Sequence, residues 1–358
     1  MKGETCPPQR RSFRDAISGN KVWQLTDTPN ATTHHLYYVK PTVTPDGEWL
    51  IYCSDWDHGH FNLYAMHTRT WESVQLTETA DEDPFSGAIS SAGDEVFYPV
   101  GSNTIRAVNI FTLEERAVCR VPDAVSVGAV SVSGDGAYVL FSVDYERYWE
   151  HVRFEEAPYA FPHKVFGYVL AEGGEMTPVV DANLEMSHPQ FCPTDADVIL
   201  YGHEGPWYKV QRMWLIRRDG SGNHPIFLQN TSEAVGHEFW SHNGERIYAS
   251  CYGGRQPQGL WSVNRENNQE RCVLVGPTVA HSAANAEEDR FVADEHYRDR
   301  SCLWVARRGD PQPQVLCRTG VDWGDGPFHP HPRFTPDGSG VIFDSARTGS
   351  TEVYWVEV

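Results

Sequence analysis

Apolar residues in this chain come in short runs, each introduced by a turn rich in Pro, Gly, Asp or Asn. Thr44-Pro45-Asp46-Gly47 leads into the run Trp49 to Cys53. Counterparts begin near Ala92-Gly93-Asp94, Ser133-Gly134-Asp135-Gly136, Pro193-Thr194-Asp195, His242-Asn243-Gly244, Ala286-Glu287-Glu288 and Thr335-Pro336-Asp337-Gly338. A second, aromatic run follows each, as in Leu63-Tyr64-Ala65, Trp214-Leu215-Ile216 and Leu303-Trp304-Val305. In six of the seven a further strand comes next, as in Val74-Gln75-Leu76-Thr77 or Pro225-Ile226-Phe227-Leu228. Units of four short strands, repeating at roughly forty to fifty residues, predict the blades of a β-propeller, because one such sheet cannot bury both faces without neighbours. The fold class expected is all-β, a seven-bladed β-propeller over residues 1–358 as one domain.

The seventh unit reaches Val358 without its last strand, and a spare one stands at the front, Val22-Trp23-Gln24-Leu25-Thr26, closely similar to Val74 to Thr77. The N-terminal strand is therefore expected to complete the last blade and close the ring, removing the edges an open sheet would expose.

Composition fits this and narrows the partners. The 358 residues are 40% hydrophobic and 12% aromatic, with 30 Gly and 23 Pro, enough for a large core and many turns. The formal charge of −20 argues against nucleic acid and anionic membranes. It allows an anionic substrate only where a metal or a local basic cluster reverses the field. Eight cysteines, widely spaced and mostly within apolar runs, read as reduced core thiols. The first residues, polar with Arg10 and Arg11, carry no apolar run, so a cytosolic protein is expected.

The chemistry-bearing signal is histidine. In a propeller the first strand of each blade runs down the central channel from the top face, and the loop between second and third strands lies on that same face. His237 precedes Asn243 by six residues, His281 precedes Glu287 by six, His331 precedes Asp337 by six, and His188 precedes Asp195 by seven. Four successive blades thus offer a histidine where the first strand enters the channel. In Phe328-His329-Pro330-His331-Pro332 two imidazoles are also two residues apart on an extended chain, so both face one side. They read either as two metal ligands awaiting a third or as solvated histidines of a proline-rich loop. The loop Tyr201 to Trp207, followed by Lys209 and Arg212, adds cations and an aromatic, and for Trp207 and Trp240 inter-blade packing competes with sugar stacking. His58 and His60 read as a solvated loop. His237-Glu238-Phe239-Trp240-Ser241-His242 is not HExxH, since its second histidine comes one residue late, and no Gly-x-Ser-x-Gly, P-loop or dinucleotide glycine pattern is present.

His203-Glu204-Gly205-Pro206-Trp207 with Arg212, then Gly236-His237-Glu238-Phe239-Trp240, resembles the oligogalacturonate lyase family. Thr33-His34-His35-Leu36-Tyr37-Tyr38 and the stretch from His329 to Asp337 are similar too, so the resemblance runs in order over most of the chain. It implies a seven-bladed propeller that uses a divalent cation, typically manganese, with calcium or zinc as alternatives, and that cleaves short acidic oligogalacturonides by β-elimination. It further implies His237 as the base removing the C5 proton, Arg212 as its cationic companion, and His281, His329 and His331 as metal ligands. His188, His203 and Lys209 would hold carboxylates of adjacent sugars. One position departs: the family has a glutamine ligand three residues before the first histidine of the final pair, where this chain has Gly326 beside Asp325. Two other readings stay open, a non-catalytic propeller binding a protein or glycan, and a metal-dependent hydrolase on the same scaffold.

Overall fold

Four of the turns named above reverse the chain by the same device. The hydroxyls of Thr44, Ser133, Ser241 and Thr335 donate to the side-chain oxygen two residues on, at Asp46, Asp135, Asn243 and Asp337, over 2.5, 2.6, 2.8 and 2.6 Å. That same oxygen accepts the backbone N–H two residues further, as from Glu48 and Ser339. Gly47 and Gly338 then take φ values of 76° and 65°, which favour glycine.

The computed structural model describes residues 1–56, 59–80, 86–146, 163–276, 279–295, 301–310, 312–321 and 329–358. Every regular element among them is a β-strand, paired antiparallel into seven sheets. Innermost are Thr33–His35, Ala88–Ile89, Ser126–Val132, Met186–Cys192, Ala234–Trp240, Val279–Ala284 and Arg333–Phe334, one per blade. No helix among the described residues is long and apolar enough to cross a membrane. All eight cysteines are free thiols, six of them buried.

The ring closes as expected: Val22, Trp23 and Gln24 pair with Val356, Trp355 and Tyr354. Two outer strands go beyond expectation. Arg11–Arg14 pairs outside Lys21–Gln24 in the last blade, and Thr5–Cys6 pairs with the outer strand of the first blade, Ser73–Gln75. The N-terminal segment therefore laces both blades of the closing seam. Its guanidinium at Arg10 lies 3.4 Å from the centre of the Trp23 ring and 4.5 Å from that of Trp71, one tryptophan from each blade. Conversely, the outer strand of blade four is only His224–Pro225, shorter than the apolar run Pro225 to Leu228 suggests.

Blade faces pack as continuous apolar layers. At the closing seam Leu25, Val43, Leu50, Tyr52, Ile342 and Val353 form one buried cluster, drawn from the first and last units of the chain. Val22 and Leu25 are fully buried, each contributing roughly 1.5–3 kcal/mol relative to exposure. Deleting residues 1–26 should therefore abolish the cooperative melt seen by circular dichroism, whereas deleting residues 1–4, which removes no strand, should shift it by only a few degrees. A wild-type melt for the longer deletion would refute closure by the N-terminal strand.

Candidate active site

The innermost strands do not run evenly. Register skips between Ser187 and Gln190, between Gly236 and Phe239, and between Val279 and Ser282 mark β-bulges at His188, His237 and the Ala280-His281 pair. His188, His237 and His331 take φ of 51°, 53° and 46°, a left-handed conformation uncommon for a residue with a side chain and worth about 1–3 kcal/mol of strain each. Blade three has the same irregularity at Ala129, φ 49°, without a histidine. The bulge is thus a property of the scaffold, and the histidines exploit it to turn their rings into the channel.

Three of them converge. Ligating nitrogens of His281, His329 and His331 all lie within 4.8 Å of one another. His281 is fixed from behind: Asp294, fully buried, accepts the His281 backbone N–H at 2.7 Å and Nδ1–H at 2.8 Å. That leaves Nε2 as its ligating atom, the arrangement of a metal-bound histidine with its carboxylate support. Burial, then the neighbouring imidazoles, hold His331 well below the usual histidine range, so it offers a lone pair at neutral pH. Neutral imidazoles are ligands for a divalent transition-metal ion. The position of the family's fourth ligand, Gly326, and its neighbour Asp325 lie outside the described residues, as does His58.

His237 sits against this trio, its ring centre 4.2 Å from that of His281. Its Nδ1 faces the Ala280 carbonyl at 3.1 Å and the Tyr252 hydroxyl, which leaves Nε2 as the basic nitrogen. Burial, then the neighbouring His281 and His188 and the Arg212 guanidinium, push its protonation well below the ordinary range. A histidine so placed is neutral at pH 7 and able to accept a proton.

Arg212 is held between two carboxylates. Nε donates to Glu238 Oε2 at 3.0 Å, and Nη1 donates to Glu204 Oε2. Burial opposes ionisation of both acids, but the guanidinium together with His188 and, for Glu204, the Ser187 hydroxyl keeps each below the usual carboxylate range. His188 joins them: its Nδ1–H donates to Glu238 Oε1 at 3.0 Å, and Nε2 lies 3.2 Å from the Tyr37 hydroxyl.

A cleft of about 250 Å³ opens between these groups, lined by His188, Glu204, Trp207, Arg212, His237 and Tyr252 among others. His203 and Lys209 do not line it. His203 stacks on Trp214 with ring centres 4.8 Å apart, and burial, then Arg212, lower its pKa to about 4. Lys209 is exposed, its ammonium 5.9 Å from the Tyr208 ring. The two tryptophans part company: Trp207 is 51% exposed on the cleft wall, whereas Trp240 is buried and packs in the blade core. Asp294 was missed by sequence reading, though an acid closing the apolar run Phe291-Val292-Ala293 was its signal. Glu204, Glu238 and Tyr37 stood inside the quoted motifs with no role assigned, and Tyr252 gave none.

The sequence profile of the family described as Oligogalacturonate lyase matches residues 1–299. The chain is 26% identical over 382 aligned positions to an oligogalacturonate lyase of Dickeya dadantii (strain 3937), covering all of this chain and 98% of that protein. Among solved structures, an oligogalacturonate lyase in complex with manganese superposes with a TM-score of 0.91 at 27% identity, covering 100% of this chain and 98% of the other. An oligogalacturonate lyase from Vibrio parahaemolyticus gives 0.91 at 28% identity, with 100% and 99% covered.

Replacing Asp294 with Ala should weaken binding of a divalent cation by about ten- to a hundred-fold in calorimetry, with the fold intact by circular dichroism. Unchanged affinity would separate Asp294 from any metal site.

Proposed function

The chain belongs to the oligogalacturonate lyase family, and from that premise we propose that it cleaves short galacturonate oligomers by β-elimination at the channel mouth. The observation that carries this reading is the contact of His237, a neutral base with its Nε2 available, with the His281–His329–His331 cluster. His281, His329 and His331 would hold a divalent cation, manganese by analogy with a related structure, and its positive charge would meet a uronate carboxylate and acidify the neighbouring C5 proton.

The chain's own residues do the rest. His237 Nε2 takes the proton from C5; the electron pair released becomes the C4–C5 double bond as the bond from C4 to the bridging oxygen breaks. The departing oxygen is protonated from solvent. Arg212 acts through charge, helping to keep His237 deprotonated between turnovers. Its own position depends on Glu204 and Glu238, so both acids support the base indirectly. Tyr252 and the Ala280 carbonyl fix the tautomer by engaging Nδ1.

Incubation of the protein with digalacturonate and manganese should raise ultraviolet absorbance from the new double bond conjugated to the carboxylate. His237→Ala should lower kcat by roughly 10²–10⁴-fold, the range of a general base, and excess EDTA should abolish the signal. Reducing ends without absorbance would mean hydrolysis instead. No reaction on any uronide would favour a binding propeller, and full activity in EDTA would remove the metal from the reaction.

A further inference from the structure

The end of the channel opposite the histidines, where the turns of the blades lie, carries a cluster of polar groups that the elimination does not use. A cavity of about 240 Å³ opens there, lined by Lys40, Ser91, Ser131, Gln190, Trp240 and Arg333 among others. A second cavity of about 230 Å³ lies toward blades six and seven and shares His242 and Arg333 with the first. Arg333 therefore faces both.

The charge here runs opposite to that of the chain as a whole. Among the described residues, Lys40, His242 and Arg333 are the titratable groups lining either cavity, and no carboxylate does so. Burial, then Arg333, hold His242 below the ordinary histidine range, so it adds no negative charge and little positive charge at pH 7. The acids of this face are engaged elsewhere. Glu288 accepts the His242 backbone N–H at 2.9 Å and the Tyr248 hydroxyl at 2.7 Å. Asp46, Asp94, Asp135 and Asp337 each accept the hydroxyl of their own turn.

Arg333 is the point of attachment. Its Nη1 donates to the Tyr38 carbonyl at 2.8 Å; among the described residues no carboxylate pairs with it, and neither Nε nor Nη2 has a partner. A guanidinium stays charged at neutral pH, and its Nε–Nη2 edge matches the two oxygens of a carboxylate. Lys40, buried, donates from Nζ to the Ser86 carbonyl at 3.2 Å and brings a second positive charge to the same cavity. The Ser131 hydroxyl accepts the Phe191 N–H at 3.2 Å and keeps its own proton to donate. Around these groups the wall is apolar, with Val39, Ala88, Ile89, Phe191 and Phe239. Such a wall favours a singly charged acid on a carbon skeleton over a phosphate dianion, whose hydration costs more to remove.

We propose that this end of the channel is a second binding site, for the carboxylate of a small organic acid held against Arg333. It is distinct from the histidine site, to which Tyr38 is the link: its carbonyl meets Arg333, and its ring stacks on that of His331 with centres 5.8 Å apart. Two sources supply such a carboxylate, a free uronate monomer and a short aliphatic acid.

Calorimetry on the full-length protein with galacturonate, butyrate and inorganic phosphate tests it. One or both acids should bind at least about ten-fold more tightly than phosphate, and the tighter of the two identifies the source. Arg333→Lys, which keeps the charge and loses the forked edge, should weaken that binding by about ten-fold or more, the scale of a hydrogen bond to a charged group. His237→Ala should leave it unchanged. Failure of both acids to bind, phosphate bound as tightly as either, or unchanged affinity in Arg333→Lys would overturn the proposal. A matching loss in His237→Ala would put the acid at the opposite mouth and overturn it too. Should Arg333→Lys lose its fold by circular dichroism, wild-type crystals soaked in the tighter acid decide. Density for its carboxylate against Nε and Nη2 of Arg333 supports the site, and water alone there refutes it.

Discussion

The site depends on a constraint of packing. Seven sheets set around one axis bring seven innermost strands to a common channel, and in blades four, five and six the innermost ladder is interrupted. The bulges at His188, His237 and the Ala280-His281 pair provide that interruption, and the left-handed backbone at three histidines turns the rings inward. Such strain persists only where the surrounding structure over-determines it. Here the sheets on either side, sealed by the N-terminal strand, do so.

Within the channel, charge is arranged in two zones. Around His281, His329 and His331 the donors are imidazole nitrogens, with the Asp294 carboxylate committed to His281. Beside them Arg212 is neutralised by Glu204 and Glu238. His237 stands between the zones and takes its low proton affinity from burial, from the imidazoles and from the guanidinium. A net charge of −20 is compatible with an anionic substrate because the histidine zone, once it holds a cation, is where a carboxylate finds positive charge.

Much of this was legible in the chain. The Asp-Gly turns and the spare strand Val22 to Thr26 carried the propeller and its closure, because turn chemistry and strand period are local properties. The six- or seven-residue offset of histidine from those turns pointed to the channel, because a repeat converts sequence spacing into shared depth. What could not be read was partnership between strands and between blades. Asp294 meets His281 across a bulge, and Glu238 meets Arg212 from the next blade; neither pairing leaves a periodic trace. His203 and Lys209 show the converse. Both stand in the right loop, but one is taken by the Trp214 ring and the other faces Tyr208 at the surface, and loop position alone does not tell where a side chain goes. The outer strands Thr5–Cys6 and Arg11–Arg14 were hidden because edge strands open to solvent carry polar residues.

The central claim is that histidines from two adjacent blades form one metal site in contact with the base. Anomalous diffraction at the manganese edge, from crystals grown with manganese, tests it directly. The account predicts a single strong peak in bonding distance of His281, His329 and His331, with the His237 ring beside it. A peak elsewhere in the channel, or none at these three imidazoles, would contradict it.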